Sequence, residues 1–546
     1  MKNFIPQFFI SMKNYSIDKF MKDLVAGLIV AIIALPLSIA LALASGVTPE
    51  QGLYTAIIAG FVISFFGGST VQISGPTAAF ASIVAGIVAT KGMTGLAVAT
   101  FLAGIILIVM GLLKLGSLIK FIPFTITTGF TAGIAVTIVI GQLKDFMGLT
   151  FQYSPIETME KLEQVFTCIR TLNPWAVFIG VLSLAILIFW PKKLGKIPPS
   201  LIAVLVAATI VKLGNLEVNT IGNLYTISSA LPKFQMPELS FSLVKSVLPD
   251  AFTIAILAAI ESLLSAVVAD GMTKSKHNSN MELIAQGLGN TCSALFGGIP
   301  ATGAIARTAA NIKNGGRSPV SGMVHAVVLL LILVFLMPYA ALIPMPTIAA
   351  ILFMVAYNMS GWRTFVNIVK TSPKSDIAVL LLTFSLTVVF DLVMAIGIGL
   401  IIAAFLFLKR MADVSEVREW EYLDSYEEGS EESRLIPVPE EVMVFEITGP
   451  MFFGAADKIS NLIFDTKKKV LILRMRSVPA MDITALNSLE KLYHICESHK
   501  IKLIFSHVNH QPLTVLEKSG FMRKAGSDYF CANIEEALTK ATQLIA

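Results

Sequence analysis

The stretch that decides the fold reads VQISGPTAAF at positions 71–80, shortly after FFGG at 65–68. A second stretch, IPATGAIAR at 299–307, follows LFGG at 295–298. In both places an apolar segment ends at Gly-Gly, and a short extended piece then leads into a helix of small residues. Two matched interruptions of this kind predict an internal repeat with a broken membrane helix in each copy.

The repeat extends upstream, because ALPLSIALALASG at 34–46 matches IESLLSAVVADG at 260–271 as a small-residue helix closed by Gly. The second copy begins about seven spans after the first, and an odd number of spans inverts its topology. Two half-helices whose N-termini meet direct unpaired N–H groups and partial positive charge at one spot, which favours an anion. The alternative is a pair of ordinary re-entrant turns.

The composition places this fold in a bilayer. Hydrophobic residues make up 55 % of the 546 residues, charged residues 14 %, and the mean hydropathy is +0.77, whereas soluble domains are about a quarter charged. We predict an α-helical polytopic membrane protein with about fourteen segments. They lie near 24–45, 50–67, 76–90, 94–113, 122–142, 174–190, 198–213, 248–270, 281–296, 303–313, 318–337, 344–359, 376–391 and 393–409.

Charge and composition also divide the chain. Lys and Arg concentrate in the loops that lie inside when the N-terminus is cytoplasmic, which predicts a multi-pass plasma-membrane protein with both termini in the cytoplasm. These basic residues are topology signals and do not indicate nucleic-acid binding. The predicted parts are a cytosolic N-terminal segment 1–23, a transport domain 24–410 with repeats about 24–213 and 248–410, an acidic linker 411–440 and a cytosolic domain 441–546.

Two ionisable residues fall inside predicted spans, where each costs at least about 2.5–3.5 kcal/mol. Arg307 offers a positive charge for an anion. Glu261, the only carboxylate predicted deep inside a span, offers a proton or Na⁺ site with Ser265 one turn away. The alternative is a structural Glu261–Arg307 ion pair. His325 is predicted to be a buried histidine with its hydrogen bonds satisfied.

The cytosolic domain alternates strands near 442–447, 470–475 and 503–507 with helices near 455–464, 483–498, 512–518 and 534–544, which predicts a small α/β domain. It has no Gly-rich phosphate loop and no nucleophile–base constellation, so we predict no enzyme activity. The four cysteines lack CxxC spacing or a nearby His, which argues against a structural metal, and no cofactor is expected.

Several motifs strongly resemble the SulP (sulfate permease, solute carrier 26) family: SGPTAAF at 74–80, IESLLS at 260–265 and AIARTAAN at 304–311. GPMFF at 449–453 and MDITA at 481–485 resemble its C-terminal STAS domain. The resemblance implies a seven-plus-seven inverted repeat with core and gate domains, homodimers and elevator-like alternating access. It also implies that an anion sits between the third and tenth helices.

The resemblance extends to individual residues. Glu261 matches the acidic position linked to proton or sodium coupling, and Glu there is more typical of the proton-coupled branch. The STAS domain is similar to anti-sigma-factor antagonists, and Thr484 matches the position at which those proteins are phosphorylated on Ser. Its neighbours Ile483 and Ala485 depart from the antagonists' sequence pattern. The expectation is therefore that the domain docks a cytosolic protein or supports a dimer. The predicted substrate site comprises Leu37, Leu41, Ser74, Gly75, Thr77, Ala78, Thr302, Gly303, Ala306 and Arg307.

The motifs are most similar to those of bacterial family members that move C4-dicarboxylates. The resemblance therefore implies a secondary active transporter of a small anion (a C4-dicarboxylate, sulfate or bicarbonate), driven by proton symport. A sodium-coupled symporter with Na⁺ at Glu261 and a passive anion channel or exchanger remain alternatives. A nucleobase carrier would not need Arg307 or the STAS-like tail. A membrane sensor would not need two half-helices.

Overall fold

The structure is a computed structural model that describes residues 4–13, 15–117, 123–153, 155–191, 198–390, 392–419, 422–425, 434–460 and 467–546. The chain divides into two compact units, Met1–Leu400 and Ile401–Ala546. The elements up to the end of the last membrane helix are α1 Gln7–Met12, α2 Ile17–Ala44, α3 Pro49–Phe66, β1 Ser74–Gly75, α4 Ala78–Leu112, α5 Phe124–Met147, α6 Thr158–Thr167, α7 Pro174–Phe189, α8 Pro199–Leu213, α9 Ile221–Leu224, α10 Phe241–Thr273, α11 Ser279–Leu295, β2 Thr302–Gly303, α12 Ile305–Lys313, α13 Val320–Leu336, α14 Met345–Ser360, α15 Trp362–Thr371, α16 Lys374–Val389 and α17 Leu392–Val414.

Helix α4 is two helices in succession, because Gly92 inside it has φ +67° and ψ −176°, far from helical values. With this break, each predicted span overlaps a described helix, although α2 and α10 begin seven residues before the predicted spans 24–45 and 248–270. Six described helices are long and apolar enough to cross a membrane: Ile17–Ala44, Ala78–Leu112, Phe124–Met147, Phe241–Thr273, Val320–Leu342 and Met345–Thr371.

The outer surface of these helices suits lipid. Large apolar side chains such as Val109, Phe178, Phe189 and Phe335 are exposed, while small residues and polar groups lie inside. Such an exposed apolar surface is unfavourable in water and favourable against acyl chains. The prediction of a helical membrane protein is confirmed.

The first membrane helix begins earlier than its hydropathy suggests. Ser16 caps α2 by accepting a hydrogen bond from the Lys19 N–H at 3.3 Å. Asp18 then pairs with Lys22 at 2.7 Å, one turn later, which stabilises a polar first turn. Part of the predicted 1–23 segment is therefore helical, and the buried carboxylate of Asp23 lies inside α2.

The second unit is a sheet covered on both faces. Its elements are β3 Glu416–Glu419, β4 Tyr422–Ser425, β5 Arg434–Pro437, β6 Val442–Thr448, α18 Asp457–Ser460, β7 Val470–Ser477, α19 Ile483–Ser498, β8 Lys502–Ser506, α20 His510–Lys518, α21 Phe521–Ala525, β9 Phe530–Cys531 and α22 Ile534–Ile545. The strand order is β3-β6-β7-β8-β9, with β6 to β9 parallel and β3 antiparallel to β6. The predicted α/β character is confirmed.

The acidic stretch 411–440 is only partly a linker. Residues 416–419 form the edge strand β3, because Val417 packs against the core while Glu416 and Glu419 face outward. One apolar side chain among acidic neighbours is too short a pattern to predict a strand from the sequence. The positions 420–421 and 426–433 lie outside the described residues, as does the end of the predicted helix 455–464.

Phe505 tests the core of the second unit. Its ring is fully buried, stacked on Phe530 at 4.7 Å and edge-on to Phe521 at 5.8 Å. We expect Phe505→Ala to lower the free energy of unfolding of this unit by about 3–5 kcal/mol, because it leaves a cavity. Hydrogen exchange of the β7 and β8 amides measures this loss. Phe453→Ala is the control: Phe453 is 59 % exposed, and we expect a change within about 0.5 kcal/mol. Equal effects of both variants would contradict this packing.

Candidate functional site

The two broken helices meet at a small antiparallel sheet. Ser74 pairs with Gly303 and Gly75 with Thr302, and the Ala304 N–H donates to the Ile73 carbonyl at 2.9 Å. Helix α4 begins at Ala78 and α12 at Ile305, directly after these strands. Both N-termini therefore start from one crossing of two extended segments, as the repeat predicts.

The segment before α12 is held by polar side chains of neighbouring helices. Thr55 Oγ1 accepts from the Ile299 N–H at 2.7 Å. The Asn290 amide accepts from the Ala301 N–H and donates to the Ala301 carbonyl, each at 2.8 Å. Thr302 Oγ1 donates to the Ala258 carbonyl at 3.0 Å. These bonds satisfy backbone groups that a bilayer could not.

The segment before α4 is held by a carboxylate that the sequence analysis missed. Glu282 of α11 is fully buried and accepts from the N–H groups of Gly68 and Ser69 at 2.9 and 3.2 Å. It also accepts from the side-chain amides of Gln72 and Gln286 at 2.9 and 2.8 Å. Glu282 lies in the first turn of α11, so it is a buried carboxylate at the end of a span, and Glu261 remains the carboxylate predicted deep inside one.

A signal for this anchor does exist in the sequence. Glu282, Gln286 and Asn290 recur every four residues, which places three polar side chains on one face of α11.

Helix α12 also holds the segment before α4. Asn311 Nδ2 donates to the Val71 carbonyl at 2.8 Å, and Thr308 Oγ1 accepts from the Ile73 N–H at 3.0 Å. Side chains of the second repeat thus fix the extended segment of the first.

Arg307 lies in the first turn of α12 and is 1 % exposed. Its Nη2 donates to the Pro76 carbonyl at 2.5 Å, while Nε and Nη1 have no hydrogen-bond partner among the described residues. No described carboxylate forms an ion pair with it, so the alternative of a Glu261–Arg307 pair is not what the structure shows. Gly75 makes room for it, because a Cβ there would lie 2.5 Å from Nη1.

Glu261 approaches the other half-helix. It is half-buried in α10 and accepts a hydrogen bond from Thr77 Oγ1 at 2.9 Å. Thr77 occupies the N-cap position of α4, yet its side chain makes no capping bond. One turn beyond Glu261, the buried Ser265 hydroxyl donates to Thr308 Oγ1 of α12 at 3.4 Å. Both predicted coupling residues therefore contact broken-helix residues.

The remaining predicted residues differ in accessibility. Leu41 and Ala78 are buried, Leu37 is half-buried beside Pro36, and Ala306 is exposed at the start of α12. His325 of α13 corrects an expectation. It is fully buried, as predicted, but neither ring nitrogen has a hydrogen-bond partner in the described part of the chain. The prediction that its hydrogen bonds are satisfied is therefore wrong.

In the second unit, Thr484 is exposed in the first turn of α19. The N-cap Asp482 accepts from the Ala485 N–H at 2.9 Å and from the Phe453 N–H at 3.0 Å. Across the described residues, no group of three or more His, Cys, Asp or Glu side chains is placed to hold a metal ion.

Comparison with known proteins identifies both units. The model of the sulfate permease family matches residues 20–383. The chain belongs to the sulfate permease family. It is therefore an anion transporter in the membrane and not an enzyme. The model of the STAS domain matches residues 434–537, which confirms the C-terminal domain that the motifs resemble.

Relatives of this family match along nearly their whole length. YvdB of Bacillus subtilis (strain 168), whose name provisionally calls it a sulfate transporter, is 41 % identical over 536 residues, covering 96 % of this chain and 98 % of the relative. The bicarbonate transporter BicA of Picosynechococcus sp. is 32 % identical over 546 residues, covering 95 % of this chain and 94 % of the relative.

Solved structures show the same architecture. The transmembrane domain of a cyanobacterial bicarbonate transporter BicA superposes with a TM-score of 0.62 at 32 % identity, covering 71 % of this chain and 98 % of that one. The murine anion transporter Slc26a9 in its inward-facing state gives 0.88 at 18 % identity, covering 99 % and 94 %. The second likeness supports the fold alone.

Gly75 tests the geometry around Arg307. We expect Gly75→Ala to displace the guanidinium or the small sheet, at a cost of about 1–3 kcal/mol, and to reduce anion uptake about tenfold or more. Gly86→Ala is the matched control, because a Cβ there meets no atom within 4 Å and Ala favours the helix by about 0.5–1 kcal/mol. Uptake by both variants in proteoliposomes measures this. Unimpaired uptake by Gly75→Ala would contradict the close approach.

Proposed function

We propose that this protein is a proton-coupled symporter of a small anion whose binding site lies where α4 and α12 begin. The observation that supports it is the buried Arg307, which has two unpartnered guanidinium nitrogens and no carboxylate partner among the described residues. A buried cation without a counter-ion is unfavourable unless an anion supplies the missing charge. The first-turn N–H groups of both helices favour the same charge.

The proposed site combines a planar cation with small neutral residues. Gly75, Ala78, Gly303 and Ala306 let a ligand approach the backbone closely, and Ser74, Thr77 and Thr302 add hydroxyls. The names of the relatives favour an inorganic oxyanion, sulfate or bicarbonate, over a C4-dicarboxylate. Uptake of labelled sulfate, bicarbonate and fumarate into proteoliposomes distinguishes these substrates.

Coupling is proposed to pass through the bond between Thr77 and Glu261. The Thr77 hydroxyl stabilises the charged carboxylate by donating to it. An anion at the start of α4 competes for that hydrogen, and Glu261 then loses a donor. Proton binding to Glu261 becomes more favourable when substrate is bound, which is thermodynamic coupling between the two ligands.

The proposal has four further parts. The protein works by alternating access through an elevator movement, and it forms a homodimer. Both termini lie on the cytoplasmic side of the plasma membrane, and the STAS domain serves as a docking site. Sodium symport with Na⁺ at Glu261 is the second candidate, favoured by the half-buried carboxylate and the hydroxyl beside it. A passive channel would need no titrating group at this position. Removing sodium at constant pH separates the first two candidates, and accumulation against a gradient excludes the third.

Arg307 tests the anion site. We expect Arg307→Ala to weaken anion binding about 10- to 100-fold, since a hydrogen bond to a charged group contributes about 1.5–3 kcal/mol. Arg307→Lys should restore it only partly, because Lys lacks the planar fork. Equilibrium binding to purified protein measures both. Arg363→Ala, which removes an exposed arginine stacked on Trp362, should bind like wild type. Wild-type affinity in Arg307→Ala would remove Arg307 from the site.

Glu261 tests the coupling. We expect Glu261→Gln, similar in shape but always neutral, to retain anion exchange while losing acid-stimulated accumulation. Counterflow and uptake under an imposed pH gradient, measured in the same proteoliposomes, separate these activities. Glu50→Gln is the control, because this buried carboxylate accepts from the Ser228 N–H away from the crossing. If Glu261→Gln still accumulates substrate with the wild-type pH dependence, the proton is carried elsewhere.

A further inference from the structure

One row of the STAS sheet departs from the apolar pattern of its face. Val442, Val444, Val470, Ile472 and Ile504 form the core beneath α22. The next row on that face, in register across three parallel strands, consists of Glu446, Arg474 and Ser506. It lies at the carboxyl ends of the strands, which is the edge where open α/β sheets bind ligands.

The polar side chains of this row do not supply one another with enough hydrogen-bond partners. Ser506 is fully buried, and its Oγ has no hydrogen-bond partner among the described residues. Arg474 Nε is likewise buried and without a partner. Arg474 Nη1 reaches Glu446 at 3.5 Å, longer than the roughly 2.7–2.9 Å of a strong charge-assisted bond. Two donors therefore remain open next to a weak ion pair.

Directly after β8 the chain adds another nitrogen. His507 has φ +53°, an uncommon conformation for a residue other than Gly, and its Nδ1 has no partner in the described chain. Burial, together with the nearby guanidiniums of Arg476 and Arg474, lowers the pKa of His507. Two guanidiniums therefore lie close enough to the imidazole to act on it electrostatically. Arg476 is exposed, so the cluster opens to solvent.

We propose that Arg474, Arg476, Ser506 and His507 form a binding site for a phosphoryl group, separate from the transport site. A phosphoryl group offers several acceptor oxygens and negative charge, which match two guanidiniums and a hydroxyl. Bonds to it would satisfy Ser506 Oγ and Arg474 Nε together. The proposal does not depend on the proposed function, because none of its residues belongs to the crossing of α4 and α12.

The phosphoryl group has two sources with the same chemistry. One is a soluble phosphate or phosphate ester. The other is a lipid headgroup, whose phosphoryl oxygens offer the same charge and acceptors. The experiment has one arm for each source.

The first arm measures binding of radiolabelled inorganic phosphate to the full-length protein in detergent by scintillation proximity. We expect Arg474→Gln to weaken binding about tenfold or more and Ser506→Ala about threefold or more, while Arg523→Gln, an exposed arginine of α21, leaves binding unchanged. Arg307→Ala should retain this binding, which separates the two sites. Phosphate binding that survives Arg474→Gln and Ser506→Ala, or that disappears only in Arg307→Ala, would overturn the proposal.

The second arm repeats the measurement in nanodiscs of phosphatidylcholine with or without phosphatidylglycerol. If phosphate binds more weakly in the anionic discs, and if Ser506→Ala removes this difference between the discs, a lipid headgroup is the competing ligand. Equal binding in both discs identifies a soluble phosphate, and either result supports the site. Thermal unfolding midpoints check the fold of each variant. Ser506→Ala removes a single oxygen and therefore carries the test if Arg474→Gln unfolds. Absence of phosphate binding in wild type would refute the site.

Discussion

Every other feature of the membrane unit depends on one constraint, that a backbone interrupted within a bilayer must find hydrogen-bond partners inside the protein. The two extended segments satisfy part of this need by pairing with each other at Ser74 and Thr302. Glu282 and Asn290, both on α11, satisfy much of the rest. Because the crossing is shared, neither broken helix keeps its geometry without the other repeat.

The same constraint explains where the polar groups remain open. The anchors act on the extended segments, upstream of the helices, so the first turns of α4 and α12 keep their N–H groups free of side-chain caps. Arg307 projects back across this point to Pro76 and leaves two nitrogens unpartnered. A rigid scaffold with open donors at its centre is preorganised for an anion, because little further ordering is needed on binding.

The sequence predicted the features that depend on local pattern. Gly-Gly pairs, small-residue helices and apolar segments are legible one repeat at a time, so the spans, the repeat and the meeting of the half-helices were foreseen. Glu282 was missed because its partners Gly68 and Ser69 lie more than two hundred residues away. Strand β3 was missed because a short edge strand has only one inward side chain, Val417, to reveal it.

Each repeat has an acidic anchor near its start, and the two anchors differ in burial and in partner. Asp23, near the start of the first repeat, is fully buried and accepts from the Arg317 and Ser318 N–H groups at 2.8 and 3.2 Å, just after α12. Asp250, near the start of the second repeat, pairs with Lys91 at the break in α4, but both side chains are about a quarter exposed. A partly exposed ion pair is screened by water and salt, whereas buried bonds to backbone are not. The two inverted repeats are therefore not equal in energy. The loop after α12 is held by buried hydrogen bonds, whereas the break in α4 can loosen at a lower cost in free energy.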